Sequence, residues 1–565
     1  MKKTIVCIVA LTCLFLSAYP QALNDDDRKF QISKNLDMIN VIFKELDLFY
    51  VDTIDAEEMI LNGINGMLDT TDPYTEYYPE EEVSSLKEMI TGKYGGIGAT
   101  IRYYEKKDRI AVIEPLEGMP AAEVGVKAGD IILSVGGKEM TRDGEKPSEF
   151  SSRVSQALRG EPGTTFVLRV ERPLENDSTV LEFSITRRNI RQNPVPYYGL
   201  LRDSIAYIVL TGFTDNSAKD VKKALIELKQ KGAKSLILDL RDNGGGSLQE
   251  AVDIVGLFVP KGQEVVTTRG KTRQSKGSYK TSSEPIDPDI RLAVLVNGNT
   301  ASASEITSGS LQDLDRAVVI GTRTFGKGLV QTTRNLPYNG TLKVTTSKYY
   351  IPSGRCIQAI DYAKKNADGS VARIPDSLTN VFFTAAGREV RDGGGIRPDI
   401  EVKGKTLPNI VYYLVNEDFI FDYATRYCWS HPSLSTVDSL LVTDADYDDF
   451  KRMVIEAKFS YDRQSERMLK SLKEIVEAEG YMDDAKAEFE ALEQKLNHNV
   501  ERDLDTFAEP IREQIAEELA ARYFYQRGTV MQSIKDDPCL DKAIEILSSP
   551  ESYSEVLSAK SPSEL

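Results

Sequence analysis

Three short runs constrain the fold of this chain more than any other feature. Residues 236–240, 292–296 and 317–320 are almost continuously apolar, with Asp239 the single polar interruption. A strand with one wet face alternates apolar and polar side chains. A run that is apolar at nearly every position is dry on both faces, as in a parallel sheet covered by helices on each side. The intervening sequence agrees. Residues 205–210 read as a further strand, and Val221, Leu225 and Leu228 mark one helix face. An Asn339-Gly340 pair between strand-like runs reads as a hairpin turn. Residues 189–405 are therefore expected to form an α/β unit.

That unit is only part of the chain. At 565 residues the protein exceeds one compact core, since domains run to roughly 150 residues. Residues 25–90 carry a helical pattern in which Leu36, Ile39, Phe43 and Leu46 share a face, expected to pack on a core of its own. Residues 91–188 change character to short strands punctuated by glycine, a small β-rich module. Residues 406–565 are mostly helical and highly charged. Apolar stripes run through Met468, Leu472 and Ile475, then Phe489, Leu492 and Leu496, then Ile511, Ile515 and Leu519.

Composition removes several functions. The net charge is −17, and no Lys/Arg-rich run occurs beyond the extreme N-terminus. Nucleic acid is therefore not an expected partner, because phosphate binding needs a basic face. Lys2 and Lys3 precede an apolar stretch over residues 4–16, and Ser17, Ala18 and Ala22 follow. Residues 1–22 thus read as an export signal, and an uncleaved signal is the one expected route to a membrane. Cys356, Cys428 and Cys539 lie too far apart in sequence to outline a disulfide framework or a metal site. No metal or cofactor is expected.

The residues that could carry chemistry fall in the α/β unit. The segment 292–306 reads as strand, small-residue turn and helix, which would expose Ser302 on a sharp turn at a helix start. A helix N-terminus offers unpaired N–H groups for a developing oxyanion, but a serine there equally serves as a simple cap. At about 100° per residue, Ser302 and Ser304 point to opposite sides of a helix, so only one can face a site. Gly321 to Gly328 nearly matches a phosphate-binding loop. It has Gly328 where Ser or Thr would hold magnesium, and a β-prone rather than helical continuation. Lys327 in that loop is flanked by glycine and apolar residues; burial would lower its pKa and free its amine as a base. Asp239-Leu240-Arg241-Asp242-Asn243-Gly244-Gly245-Gly246 follows a buried strand, and its glycines let backbone N–H groups approach a ligand. The only two histidines, His431 and His498, neighbour no nucleophile in sequence.

Taken in order, these segments resemble the carboxyl-terminal processing proteases, also called tail-specific proteases. The resemblance spans residues 72–402. It is carried by Asp72-Pro73-Tyr74-Thr75-Glu76-Tyr77, Tyr94-Gly95-Gly96-Ile97-Gly98, and a Gly118-Met119-Pro120-Ala121-Ala122 to Ala128-Gly129-Asp130-Ile131-Ile132 signature of a PDZ module. The glycine loop at 239–246 follows, then Thr300 to Ile306, Thr324 to Gln331, Ile351 to Arg355 and Gly395 to Ile400. One departure is Gly244, where the family usually has proline.

The resemblance implies an α/β serine protease core of the tail-specific type, with an inserted PDZ domain and helical N- and C-terminal regions. It implies Ser302 as nucleophile, Lys327 as general base and Gln331 as the residue that orients the lysine, in preference to Asp313. Oxyanion donors would be the N–H groups of Gly245 and Ala303. A substrate C-terminus would be held by the PDZ module near Gly95, Gly96, Ile97 and Gly98. The expected partners are polypeptides with accessible C-termini, a homodimer is compatible with the family, and the expected location is the periplasm or envelope of a bacterium. The rival reading is a PDZ scaffold on an inactive catalytic fold.

Overall fold

In the computed structural model of the protein, the structure describes residues 25–174, 177–365, 371–461, 463–496 and 499–558. The export signal at residues 1–22 and His498 lie outside the described residues. The chain divides into two units, residues 1–77 and 78–565.

The described part of the first unit holds helices α1 (Asp25–Phe49) and α2 (Ala56–Leu68). Asp55 caps α2 by accepting the Glu58 N–H. The face expected to enter a core of its own does not. Leu36 is 60% exposed, Ile39 58% and Leu46 36%. The amphipathic pattern is present, but no second apolar surface among the described residues of this unit covers it.

The second unit begins with α3 (Val83–Thr91), which ends at Gly92 in the left-handed conformation. Strand β1 (Lys93–Gly96) then leads into the β-rich module. Its sheet has the spatial order β2 (Ala99–Tyr104), β3 (Arg109–Pro115), β4 (Ile131–Val135), β5 (Thr165–Pro173), β6 (Ser178–Thr186). Helix α4 (Pro147–Leu158) buries Phe150, Val154 and Leu158 in the same core as Ile110, Ile132 and Leu168. Strand β2 is an edge strand, next to α4. The module closes where β7 (Arg188–Arg191) pairs antiparallel with β1.

The α/β unit is built on a six-stranded sheet: β8 (Tyr198–Leu201), β9 (Ile205–Val209), β10 (Ser235–Asp239), β13 (Arg291–Val296), β14 (Val318–Gly321) and β17 (Ile400–Glu401). All pairs are parallel except β8 with β9. Alternate residues face opposite ways. Leu236, Leu238, Leu292 and Val294 pack with α5 (Ser217–Gln230), α6 (Leu248–Val255) and α7 (Ala303–Asp313). Ile237, Ala293 and Leu295 face the other side. Beside this sheet, β11 (Glu264–Gly270) pairs with β12 (Gly277–Lys280) and with β16 (Thr341–Tyr350), and β15 (Leu329–Asn335) pairs with β16 through a turn at Asn339 and Gly340.

The second face of the six-stranded sheet is covered by residues far along the chain. Helix α15 (Pro538–Ser548) places Leu540, Ala543, Ile544 and Leu547 against it, and Tyr553 of α16 (Pro550–Leu557) donates its hydroxyl to the Leu292 carbonyl. The α/β unit therefore draws on residues beyond 405, where the sequence suggested it ends. The three doubly dry runs required such a cover, but nothing local in the sequence says which helices supply it.

Between these parts lies a helical region with its own core. It contains α8 (Asn409–Asn416), α9 (Phe419–Ser430), α10 (Asp444–Glu456), α11 (Gln464–Ala478), α12 (Met482–Leu496), α13 (Val500–Thr506) and α14 (Ala508–Ser533). Ile511, Ile515 and Leu519 are buried as expected, whereas Met468, Leu472 and Ile475 are exposed and Leu469 is the buried residue of α11. Helix α14 is broken at Tyr525, which has φ 55° and ψ −159°.

This helical region grips the β-rich module. Phe421 packs with Ala111 and Ile131, the Tyr104 hydroxyl donates to Asp422 at 2.9 Å, and Arg522 donates to the Ala128 carbonyl. Glu114 of β3 faces α14 with one carboxylate oxygen buried and unpartnered. Burial pushes its carboxyl from the ordinary 4.5 up to about 7; a backbone hydrogen bond from Gln526 pulls it down and Glu518 pushes it further up. A carboxyl raised on folding favours the folded state below its unfolded pKa, and that advantage is lost as pH rises through 4.5 towards 7. Glu114→Gln is accordingly expected to raise the melting temperature by a few degrees at about pH 8 and to change it little at about pH 5. Melting curves at the two pH values check this.

Candidate active site

Ser302 stands at the start of α7 with φ 56° and ψ −114°. That conformation is sparsely populated for a residue with a side chain and costs about 1–3 kcal/mol, so the neighbourhood must hold it. The Ser302 N–H donates to Glu305 Oε2 at 2.9 Å, and the Ala301 N–H donates to the Asn243 carbonyl at 3.0 Å. The Ser302 hydroxyl makes no capping bond to the helix. Ser302 and Glu305 nonetheless stand in a capping-box arrangement, with the Glu305 carboxylate accepting the Ser302 N–H. Ser304 is fully buried and donates its hydroxyl to the Asn243 carbonyl at 2.9 Å. Of the two serines, the second is buried and braces the glycine loop, whereas the first is half-buried.

The glycine loop follows β10 directly and lies against this turn. Asn243 is buried; its amide donates to the Leu210 carbonyl at 2.7 Å and its Oδ1 accepts the Gly245 N–H at 2.9 Å. Gly245 has φ +99°, and a Cβ there would stand 2.9 Å from Ser302 Cβ and 2.8 Å from the Ala303 nitrogen. Only glycine fits this contact. Of the two expected oxyanion donors, Gly245 N–H is thus engaged by Asn243 in this structure. Ala303 N–H belongs to the first turn of α7, where helical N–H groups have no intrahelical acceptor.

Lys327 sits on a loop between β14 and β15 that is clamped from both sides. A Cβ at Gly326 would strike Ala359 Cβ at 2.3 Å, and one at Gly328 would meet the Gln358 backbone at 2.8 Å. The strand that follows excludes the phosphate-loop geometry, in which a helix would begin. Gln331, on β15, donates its amide to Thr345 Oγ1 at 3.1 Å.

Glu305 and Tyr349, neither singled out from the sequence, join the serine turn to the lysine loop. Glu305 is fully buried. Its Oε2 accepts both Ser302 N–H (2.9 Å) and Lys327 N–H (2.8 Å), while Oε1 accepts Gly326 N–H (2.7 Å) and the Thr324 hydroxyl. Burial pushes its carboxyl up to about 7 against the downward pull of those four donors. The buried Tyr349 hydroxyl lies 3.2 Å from the Ser302 carbonyl and 2.8 Å from the Lys327 carbonyl. The backbones carrying Ser302 and Lys327 are therefore stapled twice, through their N–H groups and through their carbonyls.

The remaining polar residues of interest have other duties. Asp313, at the far end of α7, is buried against Arg355 at 2.7 Å and accepts the Ser353 N–H. His431 stacks on Tyr427 at the end of α9, with ring centroids 4.1 Å apart. Cys356, Cys428 and Cys539 are unpaired.

A strained serine at a helix start, backed by a glycine loop, is an arrangement that hydrolases with a serine nucleophile share. Comparisons with known proteins are specific about which. Residues 204–364 match the model of peptidase family S41, residues 112–172 a PDZ domain, and residues 410–547 the C-terminal helical domain of a probable PDZ-protease. A carboxy-terminal-processing protease of Bartonella bacilliformis is 36% identical over 331 residues, covering 58% of this chain and 73% of the relative. A probable CtpA-like serine protease of Staphylococcus aureus is 32% identical over 354 residues, covering 62% and 67%. Among solved structures, a photosystem II D1 C-terminal processing protease aligns with 25% identity and a TM-score of 0.36, over 66% of this chain and 88% of that one. The chain belongs to the carboxy-terminal-processing protease family, and is a serine-type peptidase that carries a PDZ domain and binds peptide substrate.

Proposed function

We propose that this protein is an exported endopeptidase that cleaves polypeptides whose C-termini its PDZ domain engages. Ser302 Oγ attacks the scissile carbonyl as its proton passes to the Lys327 amine. Gln331 orients the lysine. The oxyanion is received by Ala303 N–H and by Gly245 N–H, which exchanges Asn243 Oδ1 for the substrate oxygen. Collapse of the tetrahedral intermediate expels the amine, which takes the proton from Lys327, and water then hydrolyses the acyl-enzyme. The observation that carries this reading is the double staple, Glu305 and Tyr349, between the strained Ser302 turn and the Lys327 loop.

The peptide site is supported by the free edge of β2 beside α4, the arrangement that strand addition needs. The Gly95, Ile97 and Gly98 carbonyls accept N–H groups from Gly160, Ala121 and Leu116. In a trans peptide the following N–H points the opposite way, so the Gly98 N–H, which follows the Ile97 carbonyl, faces away from Ala121, whereas Gly96 is taken up by its pairing with Arg188. The disposition of Gly98 is the one required to hold a carboxylate. Export rests on residues 1–22. No helix among the described residues is long and apolar enough to cross a membrane.

The test is cleavage of an unstructured polypeptide with an apolar C-terminus, together with labelling by a fluorophosphonate that reacts with activated serine. Turnover and a label mapped to Ser302 are expected. Peptide binding without turnover, or a label elsewhere, overturns the assignment.

A further inference from the structure

The glycine loop is anchored from below by an ion cluster that the proposed chemistry does not use. Asp239, the lone polar residue of the 236–240 run, is 4% exposed. It accepts Arg241 Nε and Nη2 at 3.0 and 2.6 Å, Arg241 N–H at 3.0 Å and the Tyr207 hydroxyl at 2.7 Å. The outer nitrogen of the same guanidinium, Nη1, pairs at 2.6 Å with Asp537. Asp537 comes from the segment just before α15, the helix that covers the second face of the sheet. Its other oxygen, Oδ1, caps α15 by accepting Cys539 N–H at 2.9 Å and Leu540 N–H at 3.2 Å.

One carboxylate thus divides its oxygens between a helix cap and the arginine that opens the glycine loop. Arg241 is followed at once by Asp242, tied to Asn297, and by Asn243, whose carbonyl holds Ala301 and Ser304 on either side of Ser302. The route from Asp537 to the serine turn is short and made of charged or buried hydrogen bonds throughout. We propose that Asp537 is a positioning residue for the peptidase reaction: through Arg241 it sets the glycine loop against the Ser302 turn. The last helices then complete the site as well as the core. This inference rests on the reading of Ser302 and its glycine loop as the active site.

The decisive variant is Asp537→Asn in the otherwise intact chain. Asparagine is as good a helix cap as aspartate, so the oxygen that serves α15 is kept. The amide that replaces the other oxygen cannot accept from Arg241. A displacement of the loop by a fraction of an ångström is expected to lower kcat about 10- to 100-fold. KM is expected within about twofold of the parent, since the peptide is held by the PDZ domain. The rate of labelling by a small fluorophosphonate, which needs no PDZ contact, should fall in step with kcat. Arg241→Lys keeps the charge but not the fork that grips two carboxylates, and a similar loss is expected.

A kcat within twofold of the parent in Asp537→Asn overturns the proposal. So does a loss that merely tracks a lowered melting temperature, which marks the residue as a cap and no more. Should Asp537→Asn fail to fold, Arg241→Lys, which leaves the cap untouched, decides alone by the same criteria. Ser302→Ala run in parallel separates the two levels: residual activity there removes the reading of the site itself, whereas a dead Ser302→Ala beside an unimpaired Asp537→Asn removes only the role of Asp537.

Discussion

Ser302→Ala and Lys327→Ala are each expected to lower kcat/KM by about 10⁴-fold or more, with the affinity of the PDZ domain for a peptide C-terminus unchanged. Members of a nucleophile–base pair act as a unit, so removing either leaves only what the oxyanion donors and substrate binding supply. The double variant should be scarcely worse than either single one. Lys327→Arg is expected to fail as completely, because a guanidinium stays protonated at any working pH and cannot accept a proton. Neither alanine substitution should disturb folding greatly. Both side chains are half-buried, whereas the hydrogen bonds that fix the two loops belong to their backbones. Steady-state cleavage, peptide binding and a melting curve on the same preparations check all of this. Substantial turnover by Lys327→Ala would assign the base elsewhere.

Glu305→Gln is the second large effect, expected at about 10²- to 10³-fold on kcat. All four partners of this carboxylate are donors: three backbone N–H groups and one hydroxyl. Glutamine keeps one acceptor oxygen and turns an NH₂ towards the others, so at least one backbone N–H in the buried site is left facing a donor. With Oε2 replaced, the affected pair is Ser302 N–H and Lys327 N–H. The strained Ser302 conformation then loses a principal restraint, and relaxation towards ordinary φ values moves the hydroxyl. Glu305→Asp retains the charge with shorter reach and should fall between the parent and Glu305→Gln.

A pH signature accompanies this residue. With its carboxyl raised to about 7, Glu305 takes up a proton more readily in the folded than in the unfolded chain. Its contribution to stability is therefore present at acid pH and lost as pH rises through 4.5 to 7. Protonation also converts one acceptor oxygen into a donor and releases an N–H of the staple. Across that window activity should rise with pH while this contribution to stability falls. Rate and melting profiles on one sample measure both.

How much of this was legible in the sequence depends on distance along the chain. The parallel sheet was, because dryness on both faces is written into the runs around Leu238, Val294 and Val319. That the Ser302 turn, the Lys327 loop and the glycine loop belong to one neighbourhood was, because each lies in a short motif and the motifs keep one order. Glu305 was hidden by a commonplace, since a glutamate three residues after a serine at a helix start reads as half of a capping box. Its second pair of partners, Gly326 and Lys327, is visible only once the loop after β14 folds over it. Asp313, which the resemblance sets behind Gln331, is paired with the buried Arg355, a partner that lies forty-two residues further along the chain. Asp537 could not be read at all: nothing at Arg241 announces a partner from the segment before α15. The stripe through Leu36, Ile39 and Leu46 shows the opposite case, a legible helix face whose surroundings were not.

The late origin of α15 and α16 also sets an order of events. Strands from residue 205 onward cannot be dry on both faces until residues 538–557 have returned to them, so the defining contacts of the core are among the most distant in the chain. Such contacts close slowly, because the entropy of the intervening loop must be lost before they form. A nascent chain carries Ser302 and Lys327 long before it carries the helices that seal the sheet beneath them. Completion of the six-stranded sheet's core thus waits on residues 538–557, and a truncation that removes them acts on the centre of that core.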